Sequence, residues 1–165
     1  MSKSIEDLKT AFAGESQANR KYLAFAKKAD EEGYPEVAKL FRTAAEGETV
    51  HAHRHLAAMS GVGTTEENLK TSIKGETYEF TEMYPNMIKN AGEENNSVAQ
   101  DSFEDADTVE KEHAKLYERA LENPKEFVLG DVWVCQNCGH VHEGSEAPDA
   151  CPVCSFPKKF FKVIS

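Results

Sequence analysis

The sequence predicts a mainly α chain: a four-helix bundle over residues 1–125, then a small β-rich module over 131–165. Three observations carry this. Four apolar stripes recur with the 3–4 spacing of core-facing helices. Each stripe is interrupted near its middle by a carboxylate: Glu15, Glu48, Glu76 and Glu110. All 4 cysteines of the 165-residue chain fall between residues 135 and 154, where the helical period has disappeared.

The first stripe reads Leu8, Ala11/Phe12, Glu15, Ala18, Tyr22, Phe25/Ala26, Ala29. Ser4 is the expected cap, with Asp7 three residues on. The helix is expected to run to about residue 31, where Gly33 stops it. Pro35 opens the second helix in its first turn. Its stripe is Val37, Leu40/Phe41, Ala44, Glu48, His51, His55, Ala58, and it ends near Ser60-Gly61. Thr64 and Glu67 form a capping box for the third helix, whose stripe is Leu69, Ile73, Glu76, Phe80, Met83, Met87. Pro85 falls inside this pattern and predicts a kink. Residues 92–96 turn the chain. The fourth stripe is Ala99, Phe103, Ala106, Glu110, His113, Tyr117, Ala120/Leu121, closed by Asn123-Pro124. Residues 123–130 read as a linker.

Glu48-Thr49-Val50-His51 and Glu110-Lys111-Glu112-His113 place a carboxylate and an imidazole three residues apart. On a helix that is ~300° of rotation and ~4.5 Å of rise, so both leave from one face. Glu15 precedes Glu48 by 33 residues and Glu76 precedes Glu110 by 34. The order Glu, then Glu-x-x-His, is thus written twice, the arrangement of ferritin-like di-metal proteins. A buried carboxylate without a partner is costly or becomes neutral. Four on core-facing stripes call for cations, and a metal pair supplies them. Ala13-Gly14-Glu15 echoes Lys74-Gly75-Glu76, and Phe41 and Phe103 each stand seven residues before the second Glu, so the halves form a pseudo-two-fold repeat. They differ at one place: Ala18 follows Glu15 by three, but Glu79 follows Glu76. His55 shares the stripe of His51, but His51 has the offset of His113 from its Glu.

Cys135-Gln136-Asn137-Cys138 and Cys151-Pro152-Val153-Cys154 are two knuckles separated by 12 residues. Four thiolates at this spacing predict a tetrahedral metal site, with zinc structural and iron a one-electron carrier. Trp133, Phe160 and Phe161 are expected to cover it, and His140 and His142 to lie on the surface outside the ligand set. A module this small needs its metal to fold. The formal net charge of −10 argues against a nucleic-acid partner. The start, Met-Ser-Lys-Ser, begins no apolar run, so no signal peptide, no membrane span and a cytoplasmic location are expected.

Taken together, Gly14-Glu15-Ser16, Glu48-x-x-His51, Gly75-Glu76-x-x-Glu79, Thr81-Glu82-Met83-Tyr84-Pro85, Glu110-x-x-His113 and the two knuckles resemble the rubrerythrins over nearly the whole chain. The resemblance implies a ferritin-like di-iron bundle followed by a rubredoxin-like Fe(Cys)4 domain. It implies Glu15, Glu48, His51, Glu76, Glu79, Glu110 and His113 as di-iron ligands. Cys135, Cys138, Cys151 and Cys154 would hold the mononuclear Fe(Cys)4 iron, with zinc an alternative in either site. One iron would move between Glu79 and His51 as redox state changes, and Tyr22 and Tyr84 would hydrogen-bond ligand carboxylates. The implied activity is reduction of hydrogen peroxide to water. Electrons would come ultimately from NAD(P)H, through a reductase or rubredoxin and the Fe(Cys)4 centre. A ferroxidase or iron-handling role is the alternative, and a structural dizinc and zinc-ribbon protein the third.

A ferritin-like bundle has its long crossover between the second and third helices. Here only about Ser60 to Thr65 is available. Climbing from Glu48 to the helix end and from the next helix start to Glu76 needs ~17 Å and ~15 Å. Six extended residues reach ~20 Å. The expectation is a domain-swapped homodimer, unless the third helix starts later.

Overall fold

A computed structural model describes residues 2–164. The chain divides into two compact units, Met1–Gly63 and Thr64–Ser165.

The first unit is a helical hairpin, α1 (Lys3–Glu31) and α2 (Pro35–Ala58). The helix begins earlier than Ser4 predicts. Ser2 holds the N-cap position without a side-chain cap bond, and its carbonyl accepts from Ile5 and Glu6 N–H. At the other end Gly33 adopts φ +80°, a left-handed turn that glycine enters without steric cost. Tyr34 N–H reaches back to the Ala29 carbonyl, and Pro35 opens α2 as its spacing predicts.

The two helices meet through small residues: Ala26, Ala29, Ala38, Ala45 and Ala52 are buried. Alanine allows close approach of the helix axes. Larger rings flank this seam, with Phe41 of α2 packing on Tyr22 and Phe25 of α1 at centroid distances of 6.2 and 5.5 Å, while other apolar side chains stay open. Phe25 is 47% exposed and Leu40 65% exposed, and Leu23, Val37 and Val50 are also exposed. One polar side chain is built into the seam. Asn19 is buried and donates Nδ2–H to the Ala45 carbonyl (2.7 Å) and to Thr49 Oγ1 (2.9 Å).

The second unit begins with α3 (Thr65–Tyr78). Thr64 caps it: its hydroxyl accepts from Glu67 N–H, and the Glu67 carboxylate accepts from Thr64 N–H at 2.8 Å, the predicted capping box. The expected kink takes a specific form. Residues Glu79–Met83 make a π-helical turn before α4 (Tyr84–Glu93) begins. Pro85 has no N–H and its ring crowds the carbonyl four residues back, so an α-helical register cannot pass through it. The wider turn absorbs the misfit: Tyr84 N–H donates to the Glu79 carbonyl, and Asn86 Nδ2–H donates to the Glu82 carbonyl at 2.6 Å. Asn96 caps α5 (Ser97–Glu122), accepting from Ala99 N–H at 3.1 Å. Both α3 and α4 pack against α5.

The C-terminal part of this unit is a three-stranded antiparallel sheet, order β2-β1-β3, from β1 (Val132–Cys135), β2 (Val141–Glu143) and β3 (Phe161–Ile164). Its core is Cys135, Ala147, Cys151 and Phe161, with Trp133, Phe156 and the other two cysteines against it. Phe160 packs on Phe156 (centroids 4.7 Å), one step out from the cysteines. His140 corrects an expectation: it is 7% exposed, not a surface residue. Among the described residues no helix is long and apolar enough to cross a membrane.

Candidate metal centres

Among the described residues, three groups of side chains offer convergent metal-ligand atoms. In each group the donor atoms lie within 4.8 Å of one another. In the first unit they are Glu15, Glu48 and His51. His51 Nδ1 stands 2.9 Å from Glu48 Oε2 and 3.8 Å from Glu15 Oε1. In the second they are Glu76, Glu110 and His113. His113 Nδ1 stands 2.8 Å from Glu110 Oε2 and 3.9 Å from Glu76 Oε2. The two trios repeat each other within 0.1 Å in both distances. The i,i+3 spacing puts Glu and His on one helical face in α2 and again in α5, and a neighbouring helix brings the third acid. His55 belongs to neither group.

The trios are half-buried rather than sealed. His51 is the most open member, with 55% of its side chain exposed against 28% for His113. Glu79, at the first position of the π turn, stands outside the trio but not outside its field. Burial pushes its carboxyl above the usual range, Glu110 pushes it further, and His113 opposes. Glu76 is pushed up to about 8, first by burial, then by a hydrogen bond with the Glu110 carboxyl, then by the charges of Glu110 and Glu79. Three carboxyls this close cannot all ionise without a cation. The Tyr84 phenol is likewise raised, by burial and then by Glu110, Glu79 and Glu76, which keeps its proton in place for donation. Tyr22 packs against Phe25 and Phe41, with centroids 6.3 and 6.2 Å away.

The third group is Cys135, Cys138, Cys151 and Cys154. Sγ of Cys135 and Cys154 are 3.7 Å apart, and Sγ of Cys138 and Cys151 are 3.6 Å apart. A disulfide needs ~2.05 Å. The edge of a sulfur tetrahedron with ~2.3 Å metal–sulfur bonds is ~3.8 Å. The cluster therefore has the dimensions of a metal cage. Burial raises the Cys138 and Cys151 thiols. Burial opposes ionisation at Cys154 too, yet backbone N–H of Phe156, the Asn137 side chain and neighbouring thiols outweigh it and the thiol is lowered. Such a mixed set of thiols suits a cation better than four protons.

Known protein families share these features. The model described as Rubrerythrin matches residues 6–121, and that described as Rubrerythrin, rubredoxin-like domain matches residues 133–162. The chain belongs to the rubrerythrin family. It is 35% identical to Rubrerythrin-1 of Clostridium acetobutylicum, over 99% of this chain and 95% of that protein. Identity to the Rubrerythrin of Nitratidesulfovibrio vulgaris is 34%, over 99% of this chain and 95% of that one. A solved structure of nigerythrin in its fully reduced, all-ferrous state aligns with a TM-score of 0.58 at 34% identity, covering 99% of this chain and 88% of that one. This rubrerythrin-family chain thus combines ferritin-like helices bearing candidate di-iron residues with a rubredoxin-like four-cysteine site.

Three side chains that matter here were invisible to the spacing arguments. Asn19 lies four residues after Glu15 and locks α1 to α2 beside Glu48, with Thr49 as its second acceptor. Its position one turn from a candidate ligand was the available signal. His140 and Glu112 meet at 2.6 Å, 28 residues apart, and no sequence pattern announces that pair.

Proposed function

We propose that this rubrerythrin-family protein is a di-iron peroxidase that reduces hydrogen peroxide to two waters with two electrons and two protons. The observation that carries it is that one chain holds two near-identical carboxylate–imidazole clusters and a four-thiol cage. Glu15, Glu48, His51, Glu76, Glu79, Glu110 and His113 hold the iron pair. Cys135, Cys138, Cys151 and Cys154 hold the single iron. Residues 1–125 form the di-iron domain and 131–165 the electron-transfer domain. When bound, the pair supplies two electrons at one place and Lewis acidity toward both peroxide oxygens.

The chain's own groups do the rest. The acids would neutralise the cations. Glu79 and His51 are the exchanging pair. Glu79 sits on a π turn whose wider register can shift its side chain, and His51 is the most exposed of the trio members. Tyr84 donates its phenol hydrogen toward the Glu76–Glu79–Glu110 acids, and Tyr22 does the same in the other half. With iron bound, Cys135, Cys138, Cys151 and Cys154 would hold a one-electron centre able to take electrons from a rubredoxin or an NAD(P)H-dependent reductase. Four free thiols suit a reducing compartment, and we place the protein in the cytoplasm.

The complete centre is built by two copies. The α3 helix starts at Thr65, so the connection from the end of α2 at Ala58 is only residues 59–64. A later helix start would have lengthened it, and none occurs. Exposed Phe25, Leu40 and Val37 give the first unit an apolar face for the second copy to cover.

Turnover decides the reading. The iron-loaded protein with a reduced rubredoxin or flavin donor consumes hydrogen peroxide, and does so faster than it oxidises added ferrous ion with oxygen. A ferroxidase gives the reverse order. A colourless protein that binds only zinc has neither activity.

A further inference from the structure

Two neighbouring stripes of α5 carry different chemistry. Glu110 and His113 leave from one. Val109 and Glu112 leave from another, one residue or ~100° around the helix. The cysteine module packs on this second stripe. Val109 is 1% exposed, the most buried large side chain on the helix. Gly139, directly after Cys138, lies over it: a Cβ built on Gly139 would stand 3.6 Å from Val109 Cγ1, at a φ of +88° that other residues rarely adopt. The next residue is His140. Its Nδ1 lies 2.6 Å from Glu112 Oε2. Its carbonyl accepts from Cys135 N–H at 2.9 Å, and its ring stands edge-on to Phe161. Its Nε2 is buried and has no hydrogen-bond partner among the described residues. The ring is therefore gripped through one nitrogen, and that grip is Glu112.

A second tie, Arg119 to Glu143, links α5 to β2 at the surface. Exposed ion pairs of that kind add little. The His140 pair is different because its imidazole is removed from water, where a charge-assisted hydrogen bond is stronger. It also joins the two sites by a short path. Cys138 is two residues from His140, and Glu112 is the residue before His113.

We propose that His140 and Glu112 are positioning residues whose hydrogen bond seats the four-cysteine centre on α5 and couples it electronically to the Glu76–Glu110–His113 half-site of the same chain. In each transfer the sulfur-bound iron loses one electron and the carboxylate-bound iron gains it. No bond forms or breaks between the sites, and two transfers serve each peroxide. The electronic half of this proposal rests on the peroxidase reading. The docking half does not.

The test uses the full-length chain. With zinc in the metal sites, backbone ¹⁵N relaxation reports whether residues 131–164 tumble with α5. Wild type should show one common correlation time. His140→Phe and Glu112→Ala should shorten that of the module by roughly a third or more. Glu112→Ala replaces a half-buried side chain with a better helix former, so it keeps the fold even where His140→Phe does not. With iron, the rate of electron loss from the sulfur centre should fall by about tenfold or more in both variants. Its optical spectrum and midpoint potential should not move. Glu112→Gln, which keeps an oxygen acceptor, should restore both readouts. Wild-type relaxation in His140→Phe and Glu112→Ala would overturn the docking role. Loss of common tumbling with an unchanged electron-transfer rate would overturn the coupling role. If the protein is no peroxidase, the relaxation result still stands or falls by itself.

Discussion

Glu76 and Glu110 bring carboxyl oxygens within 4.8 Å of each other, and the Glu76 carboxyl is pushed up to about 8. Burial is the larger cause and the neighbouring acids add to it. In the metal-free protein Glu76 therefore keeps a proton that the unfolded chain releases near the ordinary glutamate value of about 4.3. Between these values the folded state binds more protons than the unfolded state, so its stability falls as pH rises. The contribution is complete below the unfolded value and lost once pH passes about 8. Metal-free protein should lose melting temperature from pH 5 to pH 8, and Glu76→Gln should flatten that slope. The metal-loaded protein should show the opposite trend, because ligands must deprotonate to bind. Thermal melts by circular dichroism across this range provide the check.

Asn19 makes its two hydrogen bonds inside a seam of alanines. Asn19→Ala leaves the Thr49 hydroxyl one donor short and removes the only buried polar tie described between α1 and α2. The expected cost is about 1–3 kcal/mol of stability. Denaturant unfolding measures it. Loss of metal affinity at Glu15 and Glu48 should accompany it, since Asn19 sets the spacing of their two helices.

Trp133 is the single tryptophan of the chain and packs against the cysteine core. Its fluorescence thus reports the module alone. A strong chelator should shift Trp133 emission to the red as the small domain unfolds. The helical circular dichroism signal should change little. Simultaneous loss of both signals would show that the module's metal supports the helices as well.

The two-copy arrangement predicts complementation. A Glu48→Ala chain and a Glu110→Ala chain are each inactive. In a swapped heterodimer one centre carries both substitutions and the other carries neither. Refolding an equal mixture should recover about a quarter of wild-type activity, because half the dimers are mixed and each has one intact centre of two. An unswapped protein recovers nothing, since every centre carries one substitution.

Much of this was legible in the sequence, for identifiable reasons. Helix boundaries at Gly33, Pro35 and Thr64 follow from backbone chemistry that one residue dictates. The Glu-x-x-His pairs follow from helical geometry, and both are found with carboxylate and imidazole within 2.9 Å. The capping serine did not hold, since Ser2 competes with Ser4 for the same few positions. The Pro85 kink was visible, but its form as a π turn depends on which carbonyls find substitutes, and Asn86 settles that. The apolar stripes predict seams, whereas alanines fill the α1–α2 seam, the Tyr22, Phe25 and Phe41 rings flank it, and Phe25 and Leu40 stay largely exposed. Periodicity identifies an apolar face without saying which neighbour covers it. The burial of His140 is not legible in the sequence because it depends on a residue 28 positions away.

The most direct measurement is an anaerobic titration of the fully reduced, iron-loaded protein with hydrogen peroxide, followed through the visible band of the sulfur-bound iron. Three irons per chain hold three electrons, so oxidation should end near about 1.5 equivalents of peroxide per chain. Glu48→Ala combined with Glu110→Ala should bring the endpoint down to about 0.5 equivalents. An endpoint near 0.5 in the wild-type protein would show that no redox-active pair sits among the carboxylates, and would contradict the account.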